Sequence, residues 1–534
     1  MQKLVIKKNI MKRKGFYLLL IFLGTVLFSV KAQDVIVQTE AGKVQGQINK
    51  GIAVFKSIPY AAPPVGNLRF AAPVKPTPWE GVRNALAFGP TSPTTYQTKK
   101  QGIDELPVYG QGWIKGDDYL TANVWTPDVT AKRLPVMLYI YGGAFVFGSS
   151  NVPLFDGTNF AKKGVILVSF NYRLGIEGFL KIKGVPTNIG IRDQIAAMQW
   201  IHDNIAAFGG DPDNVTIFGE SAGAISVAAL LVSPPAKGLF KRAIMESGSG
   251  QAVFSGEQAD IVAKQYSKTL KIDNTREAYL KLTTEELVAL QPKVTPKMVG
   301  LETDEYADPS GGVATFFPII DGDIIPDVPL QILQNGTAGN YDLMIGYNTD
   351  EMNTFLIPTG LLKKIKLELI LKIAVKKVHP APAALIAVFR KAYPAKNRGE
   401  LFSAILTSYQ AQVPSIRYAN AHAKLGVNTF MYEFAWQSSY QNGAYGAYHG
   451  LEMPFVFDNL AGLTGERGML GPKGAPQSLA DKTQDAWVQF AKTGNPGWAA
   501  YTTGERKTML INTTWQLQTN PHAKILTAWD GVRE

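Results

Sequence analysis

The sequence predicts an α/β fold, a mostly parallel sheet covered by helices, and two features carry that expectation. Short apolar, β-branched runs recur between stretches with helical apolar spacing. One of those runs passes through Gly-x-Ser-x-Gly straight into a small-residue helix.

The runs at 136–141, 165–171, 215–218, 243–245, 343–346 and 429–434 read as strands. Between them, Ile195, Met198, Ile201 and Ile205 recur at three- and four-residue spacing within 191–208, and 479–492 repeats the pattern, as expected of helices packed on a sheet. Alternation of this kind implies strands that run mostly parallel. Residues 252–310 and 352–425 carry helical patterns broken by Pro and Gly, and read as cap insertions over the C-terminal edge of the sheet, where a cap lines a substrate gorge. Within the second, Lys363, Lys364, Lys366, Lys372, Lys376 and Lys377 alternate with Leu and Ile. This segment reads either as an attachment to an anionic membrane surface or as a cap helix with a solvated basic face. The second reading is preferred because the rest of the chain is not strongly basic.

Residues 1–32 are set apart: basic at the start, apolar from 16 to 30, then Val30-Lys31-Ala32 before Gln33. This is the pattern of a secretory signal peptide, too short for the ~20 residues of a membrane span, and it predicts a secreted or periplasmic protein. An uncleaved anchor is the alternative. The expected catalytic unit is 33–534, with contact to a membrane only through the signal peptide. Of the net charge of +11, seven positive residues lie in 1–32, leaving +4 for the remainder. Nothing in that balance argues for nucleic acid as a partner. With no cysteine in 534 residues, disulfides, a thiol nucleophile, thiolate metal ligation and a lipoprotein anchor are all excluded. Five histidines without a His-Glu-x-x-His spacing argue against a zinc enzyme. No cofactor is implied, and the composition leaves the oligomeric state open.

Chemistry concentrates at Gly219-Glu220-Ser221-Ala222-Gly223. A nucleophilic Ser on a sharp strand-to-helix turn sits so close to neighbouring backbone that only small residues fit two positions to either side. The 136–141 strand runs into Tyr141-Gly142-Gly143-Ala144, a loop able to turn N–H groups toward a reacting carbonyl, with the Ala222 N–H as a further donor. A Ser hydroxyl needs a base and an orienting acid, expected in the order Ser, acid, His. Asp350 and Glu351 follow a strand and both qualify as the acid. His449, on a loop after the 429–434 strand, is singled out as the base over His202, His379, His422 and His522.

These residues resemble the type-B carboxylesterase family, which includes cholinesterases, liver-type carboxylesterases and bacterial esterases. The likeness extends to Phe55-Lys56-Ser57-Ile58-Pro59-Tyr60-Ala61, Leu68-Arg69-Phe70, Asp117-Asp118-Tyr119-Leu120-Thr121-Ala122-Asn123-Val124, Asn171-Tyr172-Arg173-Leu174-Gly175, Phe208-Gly209-Gly210-Asp211-Pro212, Ser247-Gly248-Ser249 and Phe490-Ala491-Lys492-Thr493-Gly494. The resemblance implies the α/β-hydrolase fold, a triad of Ser221, Glu351 and His449, and an oxyanion hole from the N–H groups of Gly143, Ala144 and Ala222. It implies a serine hydrolase acting on a small-molecule carboxylic ester through an acyl-enzyme. A hydrolase of amides, lactones or polyesters would carry the same triad, and a non-catalytic binding protein is a more distant reading.

Four departures from the family pattern matter. The cysteine of the 117–124 motif is replaced, so its usual disulfide is absent. Ala144 stands where Gly is common, which tightens the space beside the reacting carbonyl. Met352 replaces the Gly that commonly follows the catalytic Glu and bears on how Glu351 is presented. Trp113 lies near the place of the choline-binding tryptophan of cholinesterases, but at a different spacing.

Overall fold

One thirteen-stranded sheet runs through the described residues of the structure, a computed structural model that describes 33–95, 102–104, 106–110, 112–298, 314–337 and 340–533. The signal peptide expected at 1–32 lies outside them. In chain order the strands are β1 (Gln33–Gln38), β2 (Lys43–Asn49), β3 (Ile52–Pro59), β4 (Val82–Asn84), β5 (Thr121–Thr126), β6 (Leu134–Ile140), β7 (Ile166–Phe170), β8 (Gly210–Glu220), β9 (Arg242–Glu246), β10 (Asp342–Asn348), β11 (Thr429–Phe434), β12 (Lys507–Ile511) and β13 (Gln516–Thr519). Their spatial order is β1-β2-β3-β5-β7-β6-β8-β9-β10-β11-β12-β13, with β4 beside β2. From β7 to β12 every pairing is parallel. The flanks are antiparallel except for β4, which pairs parallel with β2.

The six strands expected from the sequence are β6 to β11, the buried middle of the sheet. The seven not expected lie on its flanks. There β2 and β13 leave alternate or most residues at the surface, so their apolar content is low. A different reason holds for β5, which is buried along its whole length yet polar. Asn123 accepts from Ser57 N–H at 2.9 Å and donates to Ser150, and Thr126 donates to the Phe208 carbonyl, so these two polar side chains find their partners inside the protein.

The register aligns strand ends: Ile140 is opposite Gly219, Glu220 opposite Glu246, and Glu246 opposite Gly346. The loops leaving β6, β8, β9, β10 and β11 therefore emerge along one edge, the place where open α/β sheets bind ligands. The helix Ile189–Asn204 packs its buried residues toward the sheet. Its Asp193 receives Arg173 through two guanidinium bonds at 2.6 and 2.8 Å and a backbone bond at 2.9 Å, which ties the loop after β7 to this helix.

Between β9 and β10 the chain forms, among the described residues, the helices Gly256–Leu270, Arg276–Leu280, Thr284–Met298 and Pro329–Gln334. The first opens on a reciprocal cap between Ser255 and Gln258. Between β10 and β11 it forms Asn353–Leu356, Leu361–Lys364, Glu368–Lys376, Pro382–Ala392, Arg398–Thr407 and Val413–Ala423, with a π-helical turn at Ser408–Gln412. This second stretch has a core of its own, in which Leu371, Val375, Phe389, Leu401 and Ile405 pack with Ile525 and Trp529 from the C-terminal end. The outer side of Glu368–Lys376 is not purely basic, because Leu369, Ile370 and Ile373 are exposed beside the lysines. No helix among the described residues is long and apolar enough to cross a membrane.

Candidate active site

Ser221 sits between β8 and the helix Ala222–Val232 with φ +57° and ψ −122°, a conformation that costs a side-chain-bearing residue about 1–3 kcal/mol. Contact on both sides holds it there. A Cβ added to Gly223 would stand 2.0 Å from the Ile140 carbonyl oxygen, and one on Gly219 would stand 2.7 Å from Ile140 O and from Gly223 itself. Both are backbone atoms of the packed sheet edge, so nothing can yield. The Ser221 N–H donates to the Glu246 carbonyl at 2.9 Å.

The loop after β6 folds back on itself. Val146 and Phe147 donate to the Gly143 carbonyl at 3.0 and 3.1 Å, while Gly143, Ala144 and Phe145 all take positive φ. Gly143 has φ +113°, and a Cβ there would meet Phe147 O at 2.1 Å, so this position requires glycine. Ala144, at φ +53°, pays the left-handed penalty and places its methyl on the cavity wall. Among the described residues nothing accepts a hydrogen bond from the N–H groups of Gly143, Ala144 or Ala222.

The structure brings Ser221, His449 and Glu351 into one chain of contacts. His449 Nε2 lies 2.8 Å from Ser221 Oγ, and its Nδ1 lies 2.5 Å from Glu351 Oε2. The other oxygen of Glu351 accepts the Asn348 N–H at 2.7 Å. Asp350, the adjacent carboxylate, turns away to Lys396 Nζ at 3.2 Å and the Ala447 N–H at 3.1 Å. Met352 is in the right-handed helical region at φ −77°, so this backbone does not call for glycine there.

More carboxylates converge than the sequence indicated. Glu220 Oε1 lies 3.2 Å from His449 Nε2. Glu452 accepts Ser247 Oγ at 3.2 Å and the Asn348 side-chain amide, and Glu246 accepts Trp487 Nε1 at 2.5 Å. Burial disfavours their charged forms and pushes the Glu220 carboxyl up to about 7, Glu452 up to about 8, and Glu246 well above the carboxylate range. Burial also opposes an imidazolium at His449. The carboxylates of Glu220, Glu351 and Glu452, with the Glu351 hydrogen bond, outweigh it and raise His449 above its ordinary value.

Ser221, His449 and Glu351 lie at the foot of a cavity with about 660 Å³ of free space, its mouth included, whose walls are mainly apolar: Phe145, Ile225, Ala252, Phe317, Met352 and Phe355. Gln410 and Ala411 reach it from the π-helical turn, a feature that recurs at functional sites. Sequence reasoning passed over these wall residues, apart from Met352, and over Glu220 and Glu452 as partners of His449. Glu220 stands inside the Gly219–Gly223 motif and Glu452 three residues after His449, but no spacing shows that they face one imidazole. Trp113 is not among the lining residues, and Lys115 covers its ring at 5.1 Å. The described residues hold no group of three or more His, Asp or Glu disposed to bind a metal.

Residues 33–529 match the model of the carboxylesterase family. The para-nitrobenzyl esterase of Bacillus subtilis (strain 168) is 35% identical over 502 residues, covering 92% of this chain and 97% of that protein. The cholinesterase of Mus musculus is 30% identical over 514 residues, covering 90% and 84%. Among solved structures, a PNB esterase aligns at 34% identity and a TM-score of 0.78, covering 92% of this chain and 99% of that one. A Geobacillus stearothermophilus carboxylesterase aligns at 33% identity and 0.79, covering 93% and 100%. The sheet order and these alignments make the architecture an α/β-hydrolase fold, and the chain belongs to the carboxylesterase family.

Proposed function

We propose that this protein hydrolyses small apolar carboxylic esters by two acyl transfers at Ser221. His449 takes the Ser221 proton as Oγ attacks the ester carbonyl, and returns it to the leaving alcohol as the tetrahedral species collapses to an acyl-enzyme. Water activated by the same imidazole then releases the acid. Glu351 holds the ring in the tautomer that presents Nε2 to Ser221 and offsets the imidazolium charge. The N–H groups of Gly143, Ala144 and Ala222 are the donors to the oxyanion, each worth on the order of 3 kcal/mol of transition-state stabilisation.

The observation that carries this reading is the unbroken Glu351–His449–Ser221 chain, at 2.5 and 2.8 Å, under an apolar cavity. The esterase names of the similar proteins support it. The apolar walls favour uncharged acyl and alcohol groups. The stretches at 252–310 and 352–425 serve as the cap, and 1–32 as a secretion signal that delivers the enzyme outside the cytoplasm.

The test is hydrolysis of p-nitrophenyl acetate, butyrate and octanoate by the purified protein beside Ser221→Ala. The parent turns over at least one of them, and the variant loses on the order of 10⁶ in kcat while keeping its fold. Equal residual rates in the two proteins would remove Ser221 as the nucleophile. A folded parent inert on all three esters would move the amide, lactone and polyester readings ahead.

A further inference from the structure

We propose that residues 361–377 dock the enzyme on an anionic lipid surface through an apolar stripe ringed by lysines. Among the described residues, twelve large apolar side chains are exposed, and five of them, Leu361, Leu367, Leu369, Ile370 and Ile373, fall in this one segment. Leu367, Leu369 and Ile373 are 59–65% exposed. The helix Glu368–Lys376 turns Leu371 and Val375 inward, one turn apart, against the second core. Leu369 and Ile373 are likewise one turn apart, on the outer side, with Ile370 next to them. A second apolar stripe has no role in holding the helix to the protein, and clustered exposed apolar residues mark an interaction surface.

Charge identifies the partner. The segment has six lysines and one acid, Glu368, which is already taken by Arg390 at 2.5 Å and Arg398 at 3.3 Å. Lys363, Lys364, Lys366, Lys372 and Lys376 make no ion pair among the described residues. Lysine stems can cover apolar surface while their ammonium groups stay in water, so lysines beside this stripe are compatible with its burial in a lipid surface. A two-fold contact with a second copy would set lysines against lysines. A soluble polyanion would use the cations and leave Leu369, Ile370 and Ile373 wet. A bilayer surface rich in anionic headgroups accepts both, the aliphatic side chains entering the acyl boundary and the ammonium groups meeting phosphates. At nine residues the helix is ~14 Å long, against an apolar core of ~30 Å, so it lies on the surface and does not span it. The segment follows directly on the cavity wall, five residues after the helix that carries Phe355. The proposal does not depend on the roles given to Ser221, His449 and Glu351.

The chain has no cysteine, so Ile373→Cys supplies a unique thiol for an environment-sensitive fluorophore. Gly504→Cys, where an added Cβ meets nothing within 4 Å, supplies a control just ahead of β12, at the opposite edge of the sheet. With phosphatidylcholine vesicles containing phosphatidylglycerol, the label at 373 should shift to the blue and brighten about twofold. Neither the control label nor vesicles of phosphatidylcholine alone should give that response, and added salt should weaken it. Co-sedimentation with the anionic vesicles should fall about tenfold in Leu369→Ser/Ile373→Ser, with hydrolysis of soluble p-nitrophenyl butyrate unchanged. A silent 373 label overturns the proposal, as does an equal response to neutral vesicles. Undiminished sedimentation of the double variant would reduce the segment to a charged adsorption surface, and self-association lost in that variant without vesicle binding would make the stripe a contact between copies.

Discussion

Around Ser221 the chain is held by contact, and around His449 it is held by charge. On the first side Gly143, Gly219 and Gly223 each lie where an added Cβ would stand 2.0–2.7 Å from backbone atoms. Ser221, Ala144 and Phe145 are kept at positive φ by that packing. On the second side Glu351 and Glu220 approach the two nitrogens of His449 at 2.5 and 3.2 Å, with Glu452 and Glu246 buried behind them. Hard contacts between near neighbours leave a mark in sequence, because they forbid side chains at fixed spacings. A Coulomb field assembled from the ends of β8, β9 and β10 and the loop after β11 forbids nothing in particular, and leaves no such mark.

The contact side should break abruptly. Gly223→Ala puts a methyl 2.0 Å from a carbonyl oxygen at the centre of the sheet edge, and neither partner can move without parting β6 from β8. Its stability should fall by more than about 4 kcal/mol, seen as lost soluble yield or a lowered melting temperature. Gly504→Ala, in open space, should melt like the parent. If both variants melt together, the steric account of the turn is wrong.

The charge side should change function before stability. Glu351→Gln keeps the shape but cannot offset an imidazolium, and it can hold His449 in the wrong tautomer. A fall in kcat of about 10⁴ with a small change in KM is expected on p-nitrophenyl butyrate. Glu220→Gln and Glu452→Gln act on the proton itself. His449 must be neutral to accept the Ser221 proton, so activity is lost as pH falls through its pKa. The sequence alone suggests a limb near ~6.5, the ordinary imidazole value, whereas the surrounding carboxylates move it higher. Removing one of them should bring the limb of the kcat/KM profile down by about one pH unit, keeping the enzyme active in more acid solution. A limb that stays put, or moves up, would show that these carboxylates do not act on His449.

The same division governs what could be read from residues. The glycines at 219 and 223, the Gly142-Gly143 pair and the apolar runs of β6 to β11 are local signals, and each stands where the pattern placed it. The flanking strands escaped because β2 and β13 are largely polar and β5, though buried, is half polar, with Asn123 and Thr126 bonded inside the protein. The cavity wall escaped because Phe317, Met352, Phe355 and Gln410 come from separate stretches whose packing no periodicity fixes. Lysines at 363–377 were visible as composition. Which side of the helix held the leucines was not, because apolar residues occur on both sides.

Asp350 and Glu351 set the two kinds of information side by side. They are adjacent, follow the same strand, and differ by one methylene, so spacing could not separate them. In the structure the turn sends Glu351 to His449 and Asp350 to Lys396 and the Ala447 N–H. Asp350→Asn should therefore leave kcat within about threefold of the parent, since the substitution touches no atom of the Ser221–His449 chain. It should cost about 1 kcal/mol of stability, because Lys396 is only partly exposed and loses its charged partner while Asn still accepts from Ala447. Thermal unfolding and steady-state kinetics on the two variants together decide the matter. A large loss of kcat in Asp350→Asn with Glu351→Gln unaffected would exchange their roles, and the acid would then belong to the residue that now anchors the turn.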